Sequence, residues 1–311
     1  MDSSSKNSDM EMLNALHMFS NVVIEGSVSR LNILIKVDCA SPDSYVGGLV
    51  GFVDEYCEIA KSHSGGTVRS KYLFDQYTQY IGGLIGYNRR SSVVECSSAC
   101  EVTTTSYPDK KTIESYIGGL IGFNYGDVSF SYATGSISLQ TLIRGGIGGL
   151  VGKSSGTINN CYAQGNVVAK GDTSGFFGGF VGDNSGQIVN CYASGNVSCV
   201  YKQPIGIGGF AGNHEGEIKN CLAYGDVALG TNVSYYYNAD AFCPDNSNIN
   251  NCYRAEYQKI SGEGIGFAVG TAVLESELNT VDFYTEKLQW NFDLDYSQLD
   301  VVNGKYPVFK Q

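Results

Sequence analysis

The chain has little of what usually marks an enzyme or a nucleic-acid-binding protein. Its 311 residues hold three histidines, His17, His63 and His214, and one tryptophan, Trp290. The histidines are scattered, and His214-Glu215-Gly216-Glu217 lacks the second His of a His-Glu-x-x-His zinc site. His214 falls in a turn column with Asn88, Asn124, Ser154 and Asn184 and reads instead as a solvated turn residue. Lys and Arg number 20 against 31 Asp and Glu, a net charge of −11. A chain so short of cations cannot neutralise a phosphate backbone, which excludes nucleic acid as a partner. Nothing approaches the roughly twenty consecutive apolar residues that cross a bilayer, so no membrane span is expected. Residues 1–11 are polar and carry no basic-then-apolar leader, so Met1 marks either a natural cytosolic start or a fragment boundary. With 5 prolines and only 16% charged residues, the composition does not suit a solvated, disordered chain.

Glycine is abundant at 40, and its placement is periodic. Gly148-Gly149-Leu150-Val151-Gly152 leads through Thr157-Ile158-Asn159-Asn160-Cys161-Tyr162-Ala163 to Gly165-Asn166-Val167. The same unit returns thirty residues later from Gly178 to Val197, and again from Gly208 to Val227. Earlier units open at Gly47, Gly82 and Gly118 and carry insertions. After Gly208 the glycines decay to Asp240-Ala241-Phe242, while Ile249-Asn250-Asn251-Cys252-Tyr253 keeps its place. A fixed period of this length means stacked structural repeats.

Each unit reads as about three short strands: Leu-Val between glycines, Ile-x-Asn-Cys-Tyr-Ala, and Gly-x-Val with its tail. Coils of such strands in parallel register make an all-β fold, a parallel β-helix (β-solenoid) of about 7–8 coils stacked at about 4.8 Å. Like residues must then lie in file. Cys96, Ser131, Cys161, Cys191, Cys221 and Cys252 form a column expected to face inward, and Tyr132, Tyr162, Tyr192 and Tyr253 one expected to face outward. Asn160, Asn190, Asn220 and Asn251 form a file of stacked amides. The expected divisions are 1–46, an N-terminal cap and degenerate first coil; 47–261, the solenoid; and 262–311, a small C-terminal cap. Ser8-x-x-Glu11 ahead of Leu13, Leu16 and Met18 suggests a short helix at the start. A rival reading aligns Gly26-Ser27-Val28 with Gly165-Asn166-Val167. Trp290, with Phe283, Leu288 and Phe292, is expected to cover the last coil.

These units resemble the GLUG motif of bacterial surface and secreted proteins, over roughly residues 45–255 and most closely from 118 to 227. The resemblance implies a β-solenoid outside a bacterium, extracellular or on the cell surface. It further implies a monomeric segment of a larger multidomain surface protein, with no signal peptide in this stretch. It carries over no catalytic residue and no cofactor.

The remaining chemistry is sparse. Ten cysteines include no Cys-x-x-Cys, and their thirty-residue spacing follows the repeat, so free thiols packed as small apolar groups are expected. Cys96 and Cys100 are left open as a pair. Asp172, Asp183, Glu215, Glu217 and Asp226 fall in different copies and mostly in different columns, unlike the converging carboxylates of a glycan-cleaving site. No turn repeats the Asp/Asn spacing of a calcium loop. Tyrosine gathers between each Gly-x-Val and the next Gly-Gly: Tyr72, Tyr77, Tyr80, Tyr107, Tyr116, Tyr201, Tyr235, Tyr236 and Tyr237. Aromatics on a rigid face suit contact with a host protein or glycan, although Tyr also simply fits strands. The expected ligand face is Tyr107, Tyr116, Tyr201, Tyr235, Tyr236 and Tyr237. A non-enzymatic, adhesin-like stalk or binding segment follows. The alternatives are a polysaccharide lyase or hydrolase of β-helix type, and an accessory segment of a larger surface protease.

Overall fold

A computed structural model describes residues 23–24, 28–29, 32–39, 45–72, 78–106, 113–140, 143–170, 174–200, 204–230, 238–245, 247–262, 268–290, 299–300 and 307–309. The expected N-terminal helix lies outside them, as do Phe292 and the side chain of Cys39. The chain winds into a parallel β-solenoid whose coils contribute to four sheets. In the coil after Gly145, Gly146–Gly148 lies in sheet I, Val151–Ser154 in sheet II and Thr157–Asn159 in sheet III. Tyr162–Ala163 and Val167–Ala169 both lie in sheet IV. Each strand pairs in parallel with its counterpart thirty residues on, as Ile147 with Phe177, Val151 with Val181, Ile158 with Ile188 and Tyr162 with Tyr192.

Six coils are complete among the described residues, fewer than the seven to eight expected, with a partial coil at each end. The coil beginning at Asn238–Asp240 contributes to sheets I, III and IV but has no described strand in sheet II. Pro244, which cannot donate to a ladder, stands where that strand would run. At the other end, Val28 pairs with Ile59 in sheet III. It therefore falls in the Ile158 column, not the Val167 column suggested by the Gly-Ser-Val spelling.

The expected three strands per coil are five shorter ones, because the chain bends twice more. Ile-x-Asn-Cys-Tyr-Ala breaks at the Asn before the Cys: Asn160, Asn190, Asn220 and Asn251 all adopt left-handed backbone, with φ of 54°, 56°, 54° and 52°. Asn accepts this conformation more readily than most side chains. Their amides bond in file, Asn190 Nδ2 to Asn160 Oδ1 at 3.2 Å, Asn220 to Asn190 at 3.1 Å and Asn251 to Asn220 at 2.9 Å. The second bend falls at Gly135, Gly165, Gly195 and Gly225, where a Cβ would lie within 2.0 Å of the preceding coil's carbonyl oxygen. Earlier coils lack this break, and His63–Tyr72 and Ser97–Ser106 run through sheet IV undivided.

The early coils place Lys61, Glu95 and Phe130 in the same left-handed corner, at φ of 50°, 52° and 49°. Phe130→Asn is therefore expected to raise stability by about 1 kcal/mol by relieving that strain. Asn190→Ala, which keeps the corner but loses the ladder bonds, should cost about 2 kcal/mol. Urea denaturation of the two variants beside the parent checks both signs.

The interior is built of like columns. Phe180, Phe210 and Phe242 stack with ring centroids 4.7 and 4.8 Å apart and planes within 7°, which reports the rung spacing directly. The column of Cys96, Ser131, Cys161, Cys191, Cys221 and Cys252 points inward and is buried, as expected. The Cys161 backbone N–H reaches Cys191 Sγ at 3.4 Å, and each of these thiols donates to the carbonyl two residues back, as Cys191 does to Val189 at 3.1 Å. Ser131 makes the same bond to Ser129. Cys96 and Cys100 are free thiols and not a pair, as are Cys161, Cys191, Cys221, Cys243 and Cys252. Burial pushes the Cys96 thiol up to about 12 and raises Cys191 and Cys252 too, so these groups stay protonated and act as small apolar fillers.

At the C-terminal end a side chain replaces the missing coil. The buried Asp240 carboxylate accepts from the backbone N–H of Phe242 at 2.8 Å, Cys243 at 3.3 Å and Val269 at 2.9 Å. In the coils below, the residue in the Phe242 position donates instead to the next coil, as Phe180 does to Phe210 O. Thr271–Val273 then adds a final rung beside Tyr253–Ala255. The following segment, with the short helix Glu275–Leu278, turns back along the outer face of sheet IV. Trp290 consequently sits on the flank, against Tyr192 and bonded to Asn220 O at 2.9 Å, rather than over the last coil.

Candidate functional site

Two tyrosine-rich strips run along the solenoid, and their fates differ. On sheet IV, Tyr132, Tyr162 and Tyr192 point away from the main core and stack at 4.7 and 5.0 Å. The C-terminal strap covers part of this column: Tyr162 and Tyr192 pack in one buried cluster with Leu278, Phe283, Tyr284, Leu288 and Trp290. Tyr192 Oη donates to Pro307 O, and the hydroxyls of Tyr224 and Tyr284 lie 2.7 Å apart.

The second strip lies where sheets I and II meet at the Gly-Gly bend. Sheet I presents Tyr45, Tyr80 and Tyr116 in register, and sheet II presents Phe52, Tyr87 and Phe123. The outward side chains of the two arms touch each other, so the bend forms a concave corner. Tyr45 stacks on Tyr80 at 5.3 Å, and Tyr80 on Tyr116 at 5.8 Å. Phe52 stacks on Tyr87 at 5.3 Å. Across the corner Tyr80 meets Tyr87 edge-on at 5.2 Å, and Tyr116 meets Phe123 at 5.8 Å. Edge-to-face and offset pairs of this kind are favourable geometries for rings. All six rings are half-buried, leaving part of each toward solvent.

Beyond the third complete coil the same two columns change character. Tyr116 is followed on sheet I by Gly146, Phe176 and Gly206, and Phe123 on sheet II by Lys153, Asp183 and Asn213. Lys153 Nζ stands 5.3 Å from the centre of the Tyr116 ring and 2.8 Å from Asp183 Oδ2. Asn213 Nδ2 donates to Asp183 Oδ1 at 2.9 Å. One cleft therefore has an aromatic half and a hydrogen-bonding half, spanning about 24 Å over six rungs. Exposed Tyr125 adjoins the aromatic half, its ring 6.5 Å from Phe123 and beneath the Arg90 guanidinium at 5.6 Å.

Tyr80, Tyr87 and Tyr116 in the cleft stay neutral. Burial raises Tyr80 to about 12, helped by Tyr45, Tyr87 and Glu114. Burial also raises Tyr116, whose hydroxyl donates to Glu114 Oε1 at 2.6 Å, and it raises Tyr87. These groups offer hydroxyl donors and acceptors, not phenolate charge.

Of the residues expected to form a ligand face, Tyr116 lies in this cleft. Tyr107, Tyr201, Tyr235, Tyr236 and Tyr237 lie outside the described residues. Tyr80 joins Tyr116, whereas Phe52, Tyr87 and Phe123 escaped notice. Their signal was present: each follows the fifth residue of the Gly-Gly-Leu-Val-Gly run. Reading the variable stretches alone skipped over that column.

His214 is not the solvated turn residue expected. It is buried at the end of an internal polar file of Asn88, Asn124, Ser154 and Asn184, its Nδ1 3.2 Å from Asn184 Nδ2. Burial lowers its pKa below the ordinary 6.5, opposed by the backbone at Asn248 and Ser247 and by the Asp245 charge. The unfolded chain thus binds the proton more tightly, and stability falls as pH drops below about 6.5 toward the folded-state value. His214→Asn, which repeats the residue at 88, 124 and 184, should remove this part of the acid loss. Thermal melts of both proteins between neutral and mildly acidic pH compare them directly.

The geometry defines a repeat protein of the parallel β-solenoid class. The family model described as the GLUG motif matches residues 144–168. That match spans one coil from the start of sheet I to the second strand of sheet IV, and together with the recurrence of the same coil it supports a GLUG-repeat β-helix. No curated protein and no solved structure matches the chain. No helix is long and apolar enough to cross a membrane among the described residues, a statement about helices only.

Proposed function

We propose that the chain is a non-catalytic, adhesin-like binding segment of a bacterial cell-surface or secreted protein, taking a host protein or glycan as its partner. In this reading it is a monomeric rod within a larger multidomain protein, needing no cofactor. The supporting observation is the cleft between sheets I and II, where rigid backbone holds tyrosine, phenylalanine and a polar trio along one line. Aromatic side chains held rigidly lose little entropy on binding, and tyrosine is enriched where binding energy concentrates. The two carboxylates flanking the cleft are already engaged, Asp183 by Lys153 and Asn213 and Glu114 by Tyr116.

The test is to present the purified chain to arrays of host proteins and glycans and repeat any hit with Tyr80→Ala and Tyr116→Ala. Binding that weakens in those variants supports an adhesive face. Silence across both arrays reduces the rod to a spacer. Cleavage of a uronic-acid polymer would instead favour a β-helix lyase or hydrolase.

A further inference from the structure

We propose that the cleft between sheets I and II takes a neutral, unbranched polysaccharide laid parallel to the solenoid axis; this rests on the adhesive reading above and names its ligand class. Four observations carry the choice. The chain covers part of one aromatic strip, on sheet IV, with its own tail and buries Tyr192 there, yet leaves the comparable strip at the bend half-exposed. The open strip repeats one side chain per rung in each arm, through Tyr45, Tyr80 and Tyr116 and through Phe52, Tyr87 and Phe123. A periodic surface is matched by a polymer of one repeating unit, whose contacts add along the chain as linked weak sites do.

The chemistry of the two halves is also that of a sugar chain. Pyranose rings have apolar C–H surfaces and a rim of hydroxyls. The aromatic half supplies apolar ring edges together with phenol hydroxyls. The polar half supplies Lys153, Asp183 and Asn213 on sheet II, a donor, an acceptor and a mixed amide, facing the Phe176 ring between Gly146 and Gly206 on sheet I. Charge selects among glycans. The chain carries −11, and the Lys153 cation is already neutralised by Asp183 at 2.8 Å. Arg89 and Arg90, beside the aromatic half, are likewise paired with Asp54 and Glu55, so among the described residues these cations are offset, and the net charge repels a uronate or sulfate polymer.

Affinity electrophoresis tests this with the intact chain in gels containing a soluble, unbranched neutral β-glucan or polygalacturonate, beside binding to immobilised collagen. The parent is expected to be retarded by a neutral polymer. The Tyr80→Ala/Phe123→Ala double variant should lose about tenfold or more in apparent affinity, the usual effect of removing central aromatic anchors. Ser198→Ala, on the far sheet IV, should bind like the parent. If the double variant does not fold by circular dichroism, Asn213→Ala at the polar end takes its place and is expected to weaken binding in the same direction. Neutral-polymer binding that is unchanged in these variants overturns the cleft while leaving the adhesive reading intact. Retardation by polygalacturonate alone, or binding to collagen alone, overturns the ligand class. Absence of any binding overturns the ligand class, and silence on the host-protein and glycan arrays as well overturns the adhesive reading.

Discussion

Gly182→Ala is expected to leave the chain unable to assemble its central coils. A Cβ on Gly182 would lie 2.1 Å from the backbone nitrogen of Ile147 and 2.5 Å from the carbonyl carbon of Gly146, both in the coil beneath. Gly122, Gly152 and Gly212 meet the same obstacle, at 2.5, 2.3 and 2.3 Å from Ile81, Ile117 and Phe177. The obstacle is backbone on both sides, so no rotamer change relieves it. Moving either strand would open ladders in sheets I and II together. A cost above about 4 kcal/mol places the variant among the severe cases, against a typical total stability of about 5–15 kcal/mol. The expected readout is loss of the cooperative thermal transition and of soluble yield, with Ser198→Ala, at a half-buried position on sheet IV, as the control. A Gly182→Ala protein melting like the parent would contradict the close approach of the two sheets.

Trp290→Ala should detach the C-terminal strap while the coils persist. Trp290 is 2% exposed, donates to Asn220 O and packs against Tyr192 and Tyr284. Truncating a buried Trp costs about 3–5 kcal/mol through lost burial and the cavity left behind. In a repeat rod each coil is held chiefly by its neighbours, so that loss falls on the strap. Limited proteolysis is expected to cut the variant between residues 274 and 290 while its far-ultraviolet strand signal remains. Tyr162 and Tyr192, buried beneath the strap in the parent, should then become accessible to a hydrophobic dye. Resistance equal to the parent's would show that the strap is held elsewhere. Leu274→Ala, at a residue 50% exposed, provides the neutral comparison.

The aromatic cleft shows where reading along the chain succeeds and where it stops. Tyr80 and Tyr116 were visible as part of a tyrosine-rich stretch, and their stacking follows from parallel register alone. Their contact with Tyr87 and Phe123 does not, because it depends on how sharply the chain folds back at the Gly-Gly bend. The same limit explains His214. Its column with Asn88, Asn124 and Asn184 was legible, but a row of Asn and His spells an exposed turn as readily as a buried file of amides. Strand count failed for a related reason: the left-handed corner at Asn160 is permitted by Asn but not demanded by it, since Lys61, Glu95 and Phe130 adopt it too.

By itself the sequence determined what lies above what. A thirty-residue period in parallel register makes each residue's axial neighbour its own repeat mate, so the Cys, Asn, Tyr and apolar columns could be written down before any coordinates. Only the tertiary structure decided which columns meet sideways and which are covered. Those contacts arise between positions unrelated by the repeat, either across a bend whose angle is set by backbone packing or beneath a tail that has no repeat to copy. The tail closes part of the sheet IV strip, and the bend brings Tyr116 to Phe123 in the strip it leaves open.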